Sequence, residues 1–472
     1  MERMKLKKLL EHIPSHTLKG SKEIDITGIS SHSKRVAPGH LFIAKKGAAH
    51  HIPEAIQAGA VAILTDLYNP FHSAAQIIHP DIALCEAKLA HAFYGNPDLY
   101  LVGITGTNGK TTTSYLVRHL LSPCGLIGTV EWNVGKHLFP AEGTTPDLVQ
   151  NLKLFHDMRT SGCTSCAMEV SSHALDQGRV RGIDFDAAVF TNLTQDHLDY
   201  HCTMQQYAEA KAKLFTSLKG TAIVNADSEY AEEMLKGCKA NILKYGIKNG
   251  CDVKASHIAL TPQGMHFQVS YEEQEQLFTS PLIGRYNVYN LLAATAVGLC
   301  RGLTLNAIAK SLQNFSHIPG RLERVPNERS LNVFVDYAHT DDALHSVLTT
   351  LQELKRGRLI TVFGCGGNRD PLKRPKMGAV VEAFADVPIV TSDNPRNEDP
   401  EEIIRGIITG FKRPGNALVI VDRRLAIFRA IEMATPDDIV LIAGKGHENT
   451  QTFSQGAIAF DDKAVALEAM TI

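Results

Sequence analysis

The stretch Thr105-Gly106-Thr107-Asn108-Gly109-Lys110-Thr111-Thr112 constrains this chain more than any other. It follows a continuous apolar run, Leu99 to Thr105, that reads as a buried strand. It precedes Thr111 to Leu121, where Leu116, Leu120 and Leu121 recur at helical spacing. Strand, glycine turn and helix in that order aim the free N–H groups of a helix start at one place, which is how a backbone cradles phosphate. Gly106 and Gly109 supply the turn, Lys110 reaches the β and γ phosphates, and the Thr111 hydroxyl is placed for Mg2+. The strict GxxxxGK[ST] pattern is not met, because Ile104 stands at its first position.

Any anion must be held by such local devices. Lys and Arg number 48 against 50 Asp and Glu, a net charge of −2, so no overall field favours nucleic acid or an anionic membrane. With 44% hydrophobic and 21% charged residues the composition is that of an ordinary globular protein. Lys5, Lys7 and Lys8 are followed by Glu11 and His12 before a signal-peptide core can form, and no apolar run reaches membrane-spanning length. A cytoplasmic protein is expected. The nine cysteines are odd in number and scattered, which argues against a disulfide framework, and the lone Cys163/Cys166 pair reads as ordinary half-buried thiols.

A chain of 472 residues exceeds what one hydrophobic core serves. Apolar runs at Leu41–Ala44, Val61–Thr65 and Ile82–Cys85 suggest a small α/β unit, closed by a Gly95-Asn96-Pro97 linker. Strand candidates at 166–170, 187–191 and 222–225, separated by helical stretches, predict a parallel sheet around the phosphate loop. A second doubly wound pattern has candidates at 333–335, 359–363, 388–391, 417–421 and 439–443, beyond a plausible hinge at His317–Gly320. The expected fold is α/β with three domains: a small N-terminal α/β domain (1–97), a central P-loop ATPase-like domain (98–318) and a C-terminal Rossmann-like domain (319–472). In such sheets ligands bind beyond the carboxyl ends of the strands. Glu169 stands near such an end, where a carboxylate can reach the Mg2+ of a bound nucleotide.

The Thr-Gly-Thr-Asn-Gly-Lys-Thr loop resembles the ATP loop of the Mur ligases and the related folylpolyglutamate synthases. The resemblance implies that Gly106, Thr107, Asn108, Gly109, Lys110, Thr111 and Thr112 bind ATP. It also implies that His197, in Asp196-His197-Leu198-Asp199, contributes to a second metal, beside the Mg2+ of the nucleotide that Thr111 and Glu169 would hold. Lys211 in Ala208-Glu-Ala-Lys211 would by itself read as a solvent-facing helix residue. The family has here a lysine that takes up CO2 as a carbamate, an anionic oxygen ligand suited to a hard cation. Lys110, Glu169, His197 and Lys211 are thus the expected catalytic set.

Other motifs resemble the family's remaining contacts. Ser33 and the Gly47-Ala48-Ala49-His50 turn resemble the uridine-nucleotide contacts. Thr144 and Thr145, with Ser171, Gln177 and Arg179 of an SSHxLxQxR pattern, resemble those to diphosphate and muramoyl groups. Asn287 and Asn290 look like adenine-side residues, and Arg321, Asp336 and His339 like ATP-clamping ones. The glycine run Gly364-Cys-Gly366-Gly367 is no dinucleotide motif, because Arg369 stands where GxGxxG needs glycine. Asp393-Asn394-Pro395-Arg396 matches the diaminopimelate-selecting motif, with Arg369, Gly444 and Glu448 holding the other end of the amino acid. A guanidinium fork pairs bidentately with a carboxylate, and diaminopimelate has one carboxylate more than lysine.

The activity implied is ATP-dependent amide-bond formation between meso-diaminopimelate and the D-glutamate of UDP-N-acetylmuramoyl-L-Ala-D-Glu. Mg2+ and a carboxylated Lys211 would assist, in a monomer without nucleic-acid or membrane partners. A lysine-adding relative and a folylpolyglutamate synthase are the alternatives within the family. A P-loop switch is the alternative outside it, and no guanine-reading NKxD is present.

Overall fold

The computed structural model describes residues 3–471, and the chain divides into two compact units, Met1–Val253 with Ala293–Thr304, and Lys254–Leu292 with Leu305–Ile472. In the first unit a five-stranded sheet runs in the order Thr17–Lys19, Ala75–Ile78, Ala62–Thr65, His40–Ile43, Gly28–Ser30, parallel except for its first strand. The apolar run Ile82–Cys85 is the first turn of the helix Ile82–Tyr94, whose N-terminus Asp81 caps by accepting from the Leu84 N–H. Ile82, Cys85, Leu89 and Phe93 repeat along one buried face of that helix. They join a single hydrophobic cluster that also takes in Leu101 and Phe190 of the larger sheet, and Phe155 and Met234 of the helices Leu148–Thr160 and Ala231–Leu235. The expected boundary at 97–98 falls inside this unit, just after Gly95 caps the helix at φ +74°.

The larger sheet of this unit carries six consecutive parallel strands, Cys124–Ile127, Ser165–Glu169, Tyr100–Thr105, Ala187–Phe190, Thr221–Asn225 and Asn241–Gly246. All five residues of Ser165–Glu169 and all four of Ala187–Phe190 are buried, as strands covered on both faces must be. Register sets Glu169 beside Ile104 and Phe190 beside Thr105, so the polar residues that follow each strand flank the start of the glycine loop.

The second unit has its own sheet, in the order Glu323–Arg324, Asn332–Asp336, Ile439–Ala443, Leu359–Phe363, Val387–Val390, Leu418–Val419, parallel after the first strand. One face packs Leu344, Met377, Val381 and Ile403, from the helices Asp341–Leu354, Lys373–Phe384 and Pro400–Ile408. The other packs Ala426, Ile427, Val465 and Ala469, from Arg423–Glu432 and Asp462–Thr471. This is the doubly wound arrangement expected. An antiparallel hairpin, Gly264–Tyr271 with Gln274–Ser280, was not anticipated. Among the described residues no helix is long and apolar enough to cross a membrane, and all nine cysteines are free.

Candidate active site

The glycine loop turns as its sequence requires. Gly106 has φ +150° and Gly109 φ +83°, the second in the left-handed region where a side chain is strained. A Cβ on Gly106 would also collide with the Thr191 hydroxyl. The helix Lys110–Leu120 starts directly after Gly109 with no side-chain cap, so its first N–H groups face the loop's mouth. Lys110 Nζ donates to Gly106 O and Thr107 O, at 2.9 and 2.8 Å.

The Thr191–Thr194 segment, which follows the strand Ala187–Phe190, shapes this loop. Asn192 O accepts from Thr107 N (2.8 Å), Asn192 Oδ1 accepts from Asn108 N (3.0 Å), and the Thr191 hydroxyl donates to Asn108 O (2.6 Å). Asn192 carries no signal of this role in isolation; only the adjacency of the two strands creates it.

Glu169 is fully buried, and its carboxylate collects three donors: the Thr111 hydroxyl (3.1 Å), the Thr129 hydroxyl (2.9 Å) and Thr129 N–H (3.0 Å). Thr129 was missed because it lies on an irregular segment with no motif. The same threonine contacts Thr144 Oγ1 at 3.1 Å, and Thr145 donates to Glu169 O at 2.8 Å. Arg179 donates to Thr145 O (2.8 Å) and grips Gln177 Oε1 twice, while Thr145 reaches Ser171 Oγ at 3.4 Å. Glu169, Thr144, Thr145, Ser171, Gln177 and Arg179 therefore form one hydrogen-bonded system with the glycine loop.

Lys211 is not a solvent-facing residue. It is 1% exposed, on the helix Met204–Thr216, with Nζ donating to Gly106 O at 2.9 Å and lying 4.5 Å from the Tyr207 ring centre. Burial, reinforced by the Lys110 charge and opposed by Asp196, drives its pKa well below that of an ordinary lysine. Tyr207 also reaches Thr107 Oγ1 at 3.2 Å and stacks on His201. His197 sits at φ +53°, its ring 4.9 Å from His173 and 6.1 Å from Tyr207. Among the described residues no three His, Cys, Asp or Glu side chains converge on one metal position.

Ser33 is buried in the short turn Ser33–Arg35, which packs against the helix Ile52–Gln57 that follows directly on the exposed Ala49–His51 turn. Ser33 and Ala48–His50 are thus neighbours. Close by, Arg35 pairs with Glu142 and faces the Trp132 ring at 5.8 Å, at a cavity of about 440 Å3 whose walls include His32, Asp147 and Lys153.

In the second unit Asp336 is buried and accepts from Leu322 N (2.7 Å) and Ala338 N (2.8 Å), so it braces the Arg321 segment. Burial pushes its carboxyl up against the lowering influence of Arg321. Arg321 lies over Tyr337, whose ring also meets His339. Asn287 and Asn290 are buried, their amides donating to Ile283 O (2.7 Å) and Asn287 Oδ1 (2.8 Å) along their own helix.

The 393–396 loop follows the strand Val387–Val390. Arg396 has φ +54° and donates from Nη1 to Gly367 O at 2.6 Å, while Asn394 donates to Glu448 Oε2 at 2.8 Å. Pro395 is buried and its carbonyl lies where a Cβ on Gly367 would go. The glycine run thus exists for close approach to this loop rather than to a pyrophosphate. Gly444, at φ +119°, makes the same kind of room for Asp393, whose Oδ2 is buried without a hydrogen-bond partner. Arg369 is exposed. Lys445, fully buried between Asn394 Oδ1 (3.0 Å) and Glu448 Oε2 (3.2 Å), was not foreseen.

Residues 104–298 match the model of the Mur ligase middle domain, and residues 320–446 that of the Mur ligase glutamate ligase domain. A UDP-N-acetylmuramoyl-L-alanyl-D-glutamate–2,6-diaminopimelate ligase from Geobacillus thermodenitrificans is 42% identical, over 99% of each chain. A solved structure of a protein of that same name superposes with TM-score 0.71 at 34% identity, over 98% of each chain. The MurF ligase from Thermotoga maritima, solved with ADP, shares the fold at TM-score 0.64 and 18% identity, over 94% of this chain and 96% of its own. With both domain models matched and relatives alike over the full length, the chain belongs to the Mur ligase family.

Proposed function

We propose that this chain is the cytoplasmic, ATP-dependent ligase that joins meso-diaminopimelate to the D-glutamate of UDP-N-acetylmuramoyl-L-Ala-D-Glu, acting as a monomer in peptidoglycan precursor synthesis. The observation that carries the choice of amino acid is the braced Arg396 on the Asp393–Arg396 loop, in a chain 42% identical to a ligase of that name. In this reading residues 1–97, with Ser33 and Ala48–His50, take the UDP sugar together with Thr144, Thr145, Ser171, Gln177 and Arg179. Residues 98–318 take ATP, aided by Asn287, Asn290 and, from the following domain, Arg321, Asp336 and His339. Residues 319–472 take the incoming amino acid.

The donor set suits Mg2+. Glu169 and the Thr111 hydroxyl are hard oxygen donors already 3.1 Å apart, and Mg2+ ordinarily completes its shell with phosphate oxygens and water. His197 and a carboxylated Lys211 would hold a second ion. When bound, the ions neutralise charge on the triphosphate. Burial and the Lys110 charge favour the neutral form of Lys211, and a neutral amine is the form that adds CO2, forming an N–C bond and releasing one proton.

Lys110 can leave the loop carbonyls for the γ phosphate, where the D-glutamyl carboxylate attacks to give an acyl phosphate and ADP. The amine of diaminopimelate then attacks the acyl carbon and phosphate departs. The buried, unpartnered Asp393 Oδ2 is an acceptor for an ammonium of that substrate, and Arg396 a fork for its distal carboxylate.

The test is a choice of amino acid, with ATP and UDP-muramoyl dipeptide supplied. The enzyme should use diaminopimelate and reject lysine. Because Arg396 is only half-buried, Arg396→Ala should shrink that preference by about 100-fold rather than more. Equal use of both amino acids by the unaltered enzyme would defeat the reading.

A further inference from the structure

Behind the Arg396 loop lies an ion pair that has no part in the chemistry above. Arg374, on the helix Lys373–Phe384, is 7% exposed, and its Nη2 donates to both oxygens of Glu398, at 3.0 and 2.8 Å. Glu398 Oε1 also accepts the backbone N–H of Asn368. Asn368 is held at φ +52°, in the left-handed region that asparagine enters more readily than most residues, with its N–H turned to Glu398. Its side-chain oxygen accepts from Asn397 N at 3.1 Å, which laces the two loops together a second time.

One residue earlier, Gly367 donates from N to Asn394 O at 2.9 Å and accepts Arg396 Nη1 on its own carbonyl. A Cβ on Gly366 would lie 3.0 Å from that same guanidinium nitrogen. The Arg396 fork therefore points where the Gly367 carbonyl lets it point, and the peptide carrying that carbonyl ends at the N–H that Glu398 holds.

We infer that Glu398, set by Arg374, is a positioning residue for amino-acid selection: by fixing the Gly367–Asn368 peptide it aims Arg396 at the distal carboxylate of the incoming diamino acid. The inference rests on the reading of Arg396 given above. It assigns a cause to that residue's geometry rather than a contact with substrate. A fork displaced by a fraction of an ångström loses one arm of a bidentate pair, so the effect belongs in recognition of one substrate and not in general stability.

The full-length enzyme is compared as wild type, Glu398→Gln, Arg396→Ala and the double variant, with KM measured for each of the three substrates. Glu398→Gln should raise KM for diaminopimelate about tenfold, leave KM for ATP and for the UDP-muramoyl dipeptide unchanged, and lower the preference over lysine by the same factor. In the Arg396→Ala background it should add nothing to either measure. An unchanged KM for diaminopimelate, a further tenfold loss in the double variant, or a rise in all three KM values together would each overturn the inference. Should Glu398→Gln fail to fold, Arg374→Lys, which keeps the charge but not the fork, carries the same comparison. If Arg396→Ala itself keeps full preference for diaminopimelate, the reading of Arg396 falls, whereas a large Arg396→Ala effect beside a silent Glu398→Gln overturns only the present inference.

Discussion

Two ammonium groups, those of Lys110 and Lys211, reach the carbonyl of Gly106, each at 2.9 Å. Both cannot remain charged there cheaply, and burial with the Lys110 charge favours the neutral form of the buried one. Because the folded-state pKa of Lys211 is depressed below its unfolded value, the unfolded chain binds the extra proton across the window between them. Stability therefore rises with pH through that window. In CO2-free buffer Lys211→Met should be at least as stable as the wild type at neutral pH and should lack that part of the rise, as urea titrations at a series of pH values will show. The same variant should lose about a thousandfold in ligation, as expected when a transition-state charge partner is removed. With 13C-bicarbonate the wild type should show a carbamate carbon signal and the variant none. A wild type without that signal would remove Lys211 from the metal-binding set.

At the scale of elements, the parallel strands were legible because strands buried on both faces read as unbroken apolar runs. Leu359–Phe363 and Ile439–Ala443 lie where their sequence places them. The apolar run Ile82–Cys85 fits a strand or a helix turn equally by its pattern, and Asp81 capping Leu84 decides for the helix. Gly264–Tyr271 carries polar residues at every second position and Gln274–Ser280 opens on three in a row, so neither forms the unbroken apolar run of a doubly covered strand. Asp438 shows how strand starts are joined. Burial would push its carboxyl up, but hydrogen bonds from the Arg358 side chain, Arg358 N, Thr435 N and the Thr435 hydroxyl outweigh it and hold it well below the usual range. A depressed carboxyl contributes stability at neutral pH that is lost as pH falls through its folded value. Asp438→Asn should therefore cost about 2 kcal/mol at pH 7, and the gap should narrow below about pH 3.9, measured by denaturant unfolding.

For the whole molecule, acyl-phosphate chemistry predicts that phosphate release is tied to both co-substrates. With ATP alone, or ATP and diaminopimelate, sustained release should be absent, and adding UDP-muramoyl dipeptide should start it. Release indifferent to both would favour the P-loop switch. The glycine loop, the Asp393–Arg396 loop and the SSHxLxQxR pattern could be read from residue order because each is a contiguous stretch whose spacing is covalent. Residue order alone therefore determined the family and the chemistry it implies. Only the tertiary structure decided that Lys211 is buried, that Asn192 pins the phosphate loop and that Glu398 braces the peptide behind Arg396. Lys211 and Gly106 are 105 positions apart, and their meeting, like the burial that lowers the lysine's pKa, is a property of packing between strands and helices that no local pattern encodes.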